Sequence, residues 1–249
     1  MVEDKGYHMD ENNKTYKCDF HIHSCLSPCA DILMTPGNII KKAFEVGLDI
    51  IAITDHNTAG NVEAALRIAA DTDLLIIPGM EVESVEEVHL LCFFDNIEQL
   101  NRWGRIVDKA LPDMKNDEDS FGYQLLTDER DEYIAKEAKL LATATSLSVD
   151  EIVKTVNLLG GVVIPSHVDR PYNSIIGQLG FIPQELGISA IELSKNADPE
   201  KFLIKYSYLK DYFYIVSSDS HYLQDIKAWT KVSSHTLVSL GINLIEMEN

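Results

Sequence analysis

The stretch KCDFHIHSCLSPCADILMTP, residues 17–36, ends an apolar run with two histidines that stand one residue apart. Residues i and i+2 of a strand point to the same face, so His21 and His23 present two imidazoles side by side. Such a pair can hold one metal ion. An HxH sequence on an ordinary strand also arises from packing or chance, so its meaning depends on the rest of the chain.

Short apolar runs alternate with helical patterns about seven times along the chain. The predicted strands are residues 16–22, 49–54, 74–79, 89–94, 162–166, 190–193 and 214–218. They are rich in Ile, Val and Leu with little alternation, which is typical of strands buried on both faces of a parallel sheet. Residues 35–47, 60–72 and 198–212 are predicted helices between them. The pattern predicts an α/β protein, either a β/α barrel or an open doubly wound sheet.

The alternation is interrupted between Asp95 and Gly161. We predict an inserted helical subdomain at about residues 95–161, with helices near 96–110, 129–146 and 148–161. Ser148 and Glu151 are spaced as a capping box for the last of these. The polar residues 1–15, which include His8, are predicted to be a flexible tail, and residues 16–249 a single barrel domain.

The composition limits the classes of partner. The formal net charge is −19 at pH 7, which repels nucleic-acid backbones and anionic lipids over most of the surface. We therefore expect no duplex nucleic acid and no membrane as partner, and we expect metal ions to supply any local positive site. Four cysteines in 249 residues predict no disulfide framework. No run of 18 apolar residues and no apolar leader are present, so the cytoplasm is the predicted location.

Six of the eight histidines fall at or beside the ends of predicted strands, together with three carboxylates. These residues are His21, His23, Asp55, His56, Glu81, His89, His167, Asp219 and His221. The carboxyl ends of strands carry the site in β/α barrels and open parallel sheets, so most of these side chains should converge on one mouth. His89 instead opens its strand, and it stays near Glu81 if the two strands form a hairpin. Imidazole and carboxylate ligands together suit Zn, Mn or Fe.

The motifs DFHIHS, ITDHN, PGMEVE and SSDSH, with His89 and His167, resemble those of the PHP family, the polymerase and histidinol phosphatase domain. The resemblance implies a distorted (β/α)7 TIM-like barrel that hydrolyses phosphoesters with two or three metal ions. It implies that His21, His23, Glu81 and Asp219 share one ion. Glu81 would bridge to a second ion held by His89 and His167, and His56 and His221 would hold a third.

The chain departs from the resembling histidinol phosphatases at Cys29, where those proteins have a histidine. A thiolate binds Zn well, so Cys29 is a candidate ligand of the third ion. The alternatives are that Cys29 is a small loop residue and that Asp31 is the ligand.

Two further residues are candidate catalytic groups. Asp55 either orients a ligand from behind or caps the following helix. Arg170 either grips a phosphate oxygen or pairs locally with Asp169. Lys195 is expected to be solvated, and His235 is expected to be structural within a last strand.

The predicted function is a metal-dependent phosphoesterase that acts on a phosphorylated small molecule or a nucleotide. Ions about 3.5–4 Å apart can activate water and clamp a phosphate, and no serine nucleophile motif or Walker loop is present. The alternatives are an amidohydrolase-like metal hydrolase and a catalytically silent metal-binding module. The insertion is expected to cap the site, and the sequence predicts no oligomeric state.

Overall fold

A computed structural model describes residues 14–242 of the chain. The predicted tail lies outside this range except for Lys14 and Thr15, and so does His8. Within the range, the strands are β1 (Thr15–Ile22), β2 (Ile50–Ile53), β3 (Leu75–Glu83), β4 (His89–Phe93), β5 (Leu125–Thr127), β6 (Tyr133–Lys136), β7 (Val162–Pro165), β8 (Ala190–Ser194), β9 (Phe213–Ser217) and β10 (Thr230–Ser233). The helices are α1 (Pro36–Val46), α2 (Val62–Ala69), α3 (Ile97–Ala110), α4 (Glu118–Phe121), α5 (Val149–Leu158), α6 (Ile175–Leu179), α7 (Pro199–Lys205) and α8 (Ser234–Ser239).

Six strands form a mixed sheet in the order β10-β1-β2-β3-β4-β7. Strands β1, β2 and β3 are parallel neighbours, whereas β10 pairs antiparallel with β1 and β4 pairs antiparallel with both β3 and β7. The hairpin of β3 and β4 places Glu83 opposite His89, so the start of β4 lies near Glu81. The expectation of an all-parallel sheet is therefore wrong at β4, and the predicted hairpin is present.

Strands β8 and β9 form a separate parallel pair. Strand β8 contacts β7 at one edge of the curled large sheet, and β9 contacts β1 and β10 at the other. His23 N–H donates to the carbonyl of Ser220 beyond β9 at 3.0 Å, and Val168 N–H beyond β7 donates to the carbonyl of Glu192 in β8 at 2.8 Å. The result is a mixed α/β fold with a curled sheet, as a TIM-like fold requires. The count of seven strand–helix repeats stays a prediction.

The register of β1 shifts between Asp19 and Ile22. Cys18 and Phe20 lie in the apolar cluster inside the curled sheet, whereas Ile22 lies in the cluster between the sheet and the helices. Such an irregularity re-aims side chains, and it is common beside active sites. Here it turns His21 and His23 toward the mouth.

Local sequence signals set the ends of the first helix and of α5. Thr35 caps α1, Pro36 is its first residue, and Gly47 ends it at φ 69°. Proline suits the first turn because N–H groups there have no intrahelical acceptor, so its missing N–H costs no hydrogen bond. Glycine suits the end of the helix because it adopts a positive φ without steric cost. Ser148 and Glu151 form the predicted capping box at α5.

The insertion is only partly helical. Helices α3 and α5 match two predicted helices, but the predicted helix 129–146 is wrong: residues 125–127 and 133–136 pair as the antiparallel strands β5 and β6. Asp131 turns the chain between them at φ 60°. Contacts with the loop after β1 override the helical pattern of this segment, because Leu125 N–H donates to the carbonyl of Cys25 at 2.8 Å. No helix among residues 14–242 has the length and apolar character needed to cross a membrane.

Candidate metal centre

The histidines and carboxylates at the strand ends meet around the carboxylate of Glu81. Glu81 itself lies in β3 and is buried. Its Oε1 lies 3.3 Å from His21 Nε2, 3.2 Å from His89 Nδ1 and 3.5 Å from His167 Nε2. One carboxylate oxygen therefore faces three imidazole nitrogens from three separate strand ends.

The other oxygen of Glu81 faces a second pair of imidazoles. Its Oε2 lies 3.4 Å from His23 Nε2 and 3.2 Å from His56 Nδ1. The parallel bridge between His56 and Glu81 fixes this approach at the backbone. Glu81 can therefore bridge two ligand sets, one through each oxygen.

Asp219 closes the cluster from the loop after β9. Its Oδ1 lies 3.2 Å from His23 Nε2 and 3.5 Å from His21 Nε2. The backbone of Asp219 has φ 45° and that of His167 has φ 29°. A positive φ is uncommon outside glycine, and it concentrates at functional sites where the surrounding structure holds it in place.

Cys29 joins a further group of possible ligands with His23, His56 and His221. The nearest ligand atoms of these four residues all lie within 4.8 Å of one another. Asp31 is not in this group: its Oδ1 accepts the backbone N–H of Leu33 at 2.8 Å. The structure therefore brings the predicted ligands together and favours Cys29 over Asp31.

The cluster fits divalent ions. Ligands bound at about 2.0–2.2 Å stand roughly 3.0–3.5 Å apart around a shared ion, and the contacts at Glu81 have this length. Glu81 Oε1 is buried and accepts no hydrogen bond from the described residues. A buried carboxylate oxygen without a donor is costly unless a cation compensates it. Metal binding by these residues stays a prediction, and nothing in the geometry opposes it.

Hydrogen bonds on the far side of the imidazoles set which nitrogen faces the cluster. His21 Nδ1 lies 3.0 and 3.1 Å from the two carboxylate oxygens of Glu192 and donates to them. His23 Nδ1 donates to Ser27 Oγ at 3.0 Å. The Nε2 lone pairs of both residues are then free to bind a metal, which is the usual arrangement of metal-ligating histidines.

Asp55 acts on this arrangement through Ser27. Ser27 Oγ donates to Asp55 Oδ1 at 2.6 Å, and Ser24 donates to the same carboxylate through its N–H and its hydroxyl. Helix α2 begins after Asn61 and not at Asp55, so the capping alternative is wrong. Asp55 therefore lies behind His23, with Ser27 between them, and its role in orienting that ligand stays a prediction.

Burial and charge set the protonation of the cluster. Burial lowers the pKa of His221 to about 4 and that of His56 well below its usual value, helped by neighbouring His23. Both imidazoles are therefore neutral at pH 7 and available as ligands. Burial raises the pKa of Glu81, but positive charge at His21 and His89, when these imidazoles are protonated, outweighs it and holds the pKa well below the usual range. Cations bound at the same nitrogens would supply that positive charge while the imidazoles stay neutral.

The thiol of Cys29 has the opposite shift. Although Cys29 is an exposed residue, the protein atoms packed around its thiol partly desolvate it and raise its pKa to about 12, and the carboxylates of Glu81 and Asp219 add to the effect. A bound metal ion deprotonates a ligating thiol. Cys29 is therefore expected to ionise only when a cation accompanies it.

Arg170 and Lys195, the two cationic residues near the mouth, form ion pairs that the sequence did not predict. Arg170 donates to Asp219 Oδ2 at 2.7 Å, with 38% of its side chain exposed. It does not pair with Asp169, whose carboxylate accepts the N–H and the hydroxyl of Ser194 at 2.7 Å each. Lys195 pairs with Asp225 at 3.2 Å.

His235 and Glu192 also differ from expectation. His235 is an exposed residue of α8 and not part of a strand. Glu192 was not a candidate, yet it is buried in β8, holds His21 and accepts the backbone N–H of His167 at 2.9 Å. Its signal in the sequence was a single acid inside the apolar strand AIELS.

Residues 19–177 match the sequence profile of the PHP domain. The chain belongs to the PHP domain family. Membership confirms the resemblance seen in the motifs and, at the level of enzyme class, the prediction of a hydrolase that acts on phosphoester bonds.

Relatives of this PHP chain act on nucleic acids. The 5'-3' exoribonuclease Rnm of Salmonella typhimurium is 33% identical over 86 residues, which are 34% of this chain and 28% of the relative. The chain thus matches little more than a quarter of that enzyme's length. The lesion-specific endonuclease PfuEndoQ of Pyrococcus furiosus has the same fold, with a TM-score of 0.64 and 20% identity over 84% of this chain and 49% of its own.

One comparison corrects a prediction about partners. Endonuclease Q in complex with a 27-mer duplex substrate, with an abasic lesion at the active site, superposes with a TM-score of 0.65 at 20% identity, covering 84% of this chain and 49% of that one. The exclusion of duplex nucleic acid from the net charge is wrong, and a small-molecule substrate stays a prediction. Charge summed over a whole surface does not describe the potential at one mouth, where bound cations and local side chains dominate.

Proposed function

We propose that this PHP chain is a metal-dependent nuclease that hydrolyses phosphodiester bonds at the 5' end of single-stranded RNA. The observation that carries the proposal is the Glu81-centred cluster, whose buried, donor-free Oε1 faces three imidazole nitrogens. The similarity of this chain to a 5'-3' exoribonuclease over 86 residues favours RNA as the substrate.

The cluster offers three ligand sets for Mn, Zn or Fe. His21, His23, Glu81 and Asp219 would hold one ion. Glu81, His89 and His167 would hold a second, and Cys29, His56 and His221 a third. Bound ions of this kind lower the pKa of water and neutralise charge on phosphoryl oxygens.

Arg170 would orient the phosphate at the mouth. The guanidinium has five N–H donors in a planar fork, and the contact with Asp219 uses only one edge of it. The remaining donors can bind a phosphate oxygen while the first keeps Asp219 in place. Because Asp219 Oδ1 faces His21 and His23, Arg170 would couple substrate binding to the ligand set.

Glu192 and Asp55 would hold the imidazoles in the state that binds metal. Glu192 accepts the Nδ1 proton of His21, and Asp55 polarises Ser27, which accepts the Nδ1 proton of His23. Each contact prevents rotation of a ring and keeps its Nε2 unprotonated. Both carboxylates are buried, so neither is expected to contact the substrate.

The test is hydrolysis of a 5'-phosphorylated 12-mer RNA by the full chain with Mn²⁺ added. We expect release of nucleotides from the 5' end, loss of activity with a chelator, and severe loss of kcat in His21→Ala and Asp219→Ala. His235→Ala, on the exposed face of α8, is the control and should keep full activity. Undiminished hydrolysis by chelated protein would refute metal dependence.

Three further substrates separate the alternatives. Hydrolysis of duplex DNA with an abasic site, but not of RNA, would move the function toward a lesion-specific endonuclease. Hydrolysis of amides alone would favour the amidohydrolase alternative. A protein that binds Mn²⁺ but cleaves none of these, nor p-nitrophenyl phosphate, would be a silent metal-binding module.

A further inference from the structure

A groove of about 650 Å³ lies against the segment that directly follows His56, and none of the candidate metal ligands lines it. One wall is the segment directly after His56, including Asn57 and Thr58, and the opposite wall carries Arg105 and Lys109 of α3. Asn57 anchors the insertion to this wall, since its Nδ2 donates to the carbonyl of Leu141 at 2.7 Å. The groove therefore begins next to a candidate ligand and runs along α3.

Two of the three carboxylates that line this groove are paired with cations. Asp108 accepts from Lys139 Nζ at 2.7 Å, and Glu63 accepts from Arg67 at 2.6 Å. Glu137 Oε1 accepts the backbone N–H of Lys139 at 3.0 Å. In contrast, Arg105 and Lys109 are exposed and have no carboxylate partner among residues 14–242. Glu137 has no cationic partner among residues 14–242, so two unpaired cations and one unpaired carboxylate give the groove a net unpaired charge of +1, in a chain whose net charge is −19.

The free cations follow one line on α3. Arg102 is also exposed and has no carboxylate partner within residues 14–242, and the three residues are spaced i, i+3 and i+7. With a rise of about 1.5 Å per residue, they stand about 4.5 and 6 Å apart along the helix axis. The helix buries Leu100, Trp103 and Val107 instead, so the cations lie off its packed face.

The end of α3 that carries Lys109 lies near the mouth. Leu111, just past the helix, packs in one apolar cluster with Leu26, which follows His23 by three residues. A chain that leaves the metal centre past His56 would therefore meet Lys109 first, then Arg105 and Arg102.

We infer that this groove is the track for the RNA backbone beyond the scissile phosphate, with Lys109 and Arg105 contacting successive phosphates. The inference rests on the proposed function and names the substrate as a single strand several nucleotides long. Phosphate contacts of this kind are independent of sequence and sensitive to salt. They compensate locally for the repulsion that the acidic surface imposes on a polyanion.

The test measures binding of a nuclease-resistant phosphorothioate 12-mer to the metal-loaded full chain by fluorescence anisotropy. Arg105→Ala/Lys109→Ala should raise Kd about tenfold at low salt, as expected for two exposed ion pairs. The slope of log Kd against log salt should fall by about 1.4, because each phosphate contact on a single strand contributes about 0.7. The matched control is Lys41→Ala/Lys210→Ala, which removes two exposed cations outside the groove; its Kd and slope should equal those of the unmodified protein.

Hydrolysis separates this inference from the proposed function. Arg105→Ala/Lys109→Ala should raise the KM for the 12-mer RNA. It should raise the KM for a dinucleotide less, because a dinucleotide is too short to follow α3. No binding of the 12-mer, or equal weakening by both double variants, would overturn the groove. Tight, groove-dependent binding without hydrolysis of any RNA would support the groove and refute the proposed nuclease.

Discussion

Gly122→Ala should loosen the loop that carries Cys29. Gly122 ends α4 at φ 102° and ψ 179°, a combination that is essentially restricted to glycine. A Cβ at this position would stand 2.1 Å from the carbonyl oxygen of Pro28, a backbone atom, where real contacts essentially never fall below 3.0 Å. The two segments must therefore separate by about 0.9 Å, and Pro28 directly precedes Cys29.

The magnitude follows from two costs. The unfavourable backbone conformation costs about 1–3 kcal/mol, and the steric overlap about 1–3 kcal/mol more. Gly180→Ala is the matched control, because Gly180 has φ 83° with no atom within 4 Å of its added Cβ. The control has a left-handed backbone, which costs about 1–2 kcal/mol for alanine, and no overlap. Gly122→Ala should thus lower the free energy of unfolding by about 1–3 kcal/mol more than Gly180→Ala does.

Urea unfolding and metal counting by elemental analysis test both parts. In Gly122→Ala we expect loss of about one ion per chain and faster alkylation of Cys29, while Gly180→Ala keeps its ions and its slow alkylation. Equal destabilisation in the two variants, with unchanged metal content and unchanged thiol reactivity, would refute the claim that the insertion positions Cys29.

Four other perturbations give distinct outcomes. Cys29→Ser should lose about one ion per chain and Cys29→His should retain it; retention by Cys29→Ser, with rapid alkylation of Cys29 in the metal-loaded parent, would leave Cys29 a loop residue. Glu192→Gln should weaken metal affinity about 10–100-fold, measured by competition with a chelator, because His21 loses its charged acceptor; unchanged affinity would contradict this. Arg170→Ala should raise KM or lower kcat for RNA at full metal content, and unaltered kinetics would leave it only the contact with Asp219. Burial raises the pKa of Asp19 from 3.8 to about 7, so the folded state holds the extra proton and stability falls as pH rises from about 4 to 7. Asp19→Asn should flatten that part of the stability curve, which a series of urea titrations at different pH values can show.

The insertion shows where pattern reasoning failed. Residues 129–146 have a helical pattern, yet the chain forms the hairpin of β5 and β6. Asn61 accepts the N–H of Thr127 and donates to the carbonyl of Leu125, so the residue before α2 supplies hydrogen bonds that a free segment does not have. Helical preference amounts to a few tenths of a kcal/mol per residue, and such tertiary contacts outweigh it.

Glu192 and Ser27 show the same limit within the site. Neither residue lies in a motif with a recognisable spacing. Each contacts the Nδ1 atom of an imidazole, on the side of the ring that faces away from the cluster. Glu192 is 171 residues from His21. A one-dimensional pattern cannot report a contact that exists only after the small sheet packs against β1.

The sequence by itself determined the alternation of strands and helices, the caps of α1 and α5, and the histidines and carboxylates at strand ends. These features depend on local chemistry, since strand ends, caps and i, i+2 spacing act within a few residues of one another. Only the tertiary structure decided that Arg170 meets Asp219, that Cys29 rather than Asp31 faces His56 and His221, and which imidazole nitrogen points inward. Those outcomes depend on how loops from different strands pack at one mouth, where the positions of side chains are set by partners that lie far away along the chain.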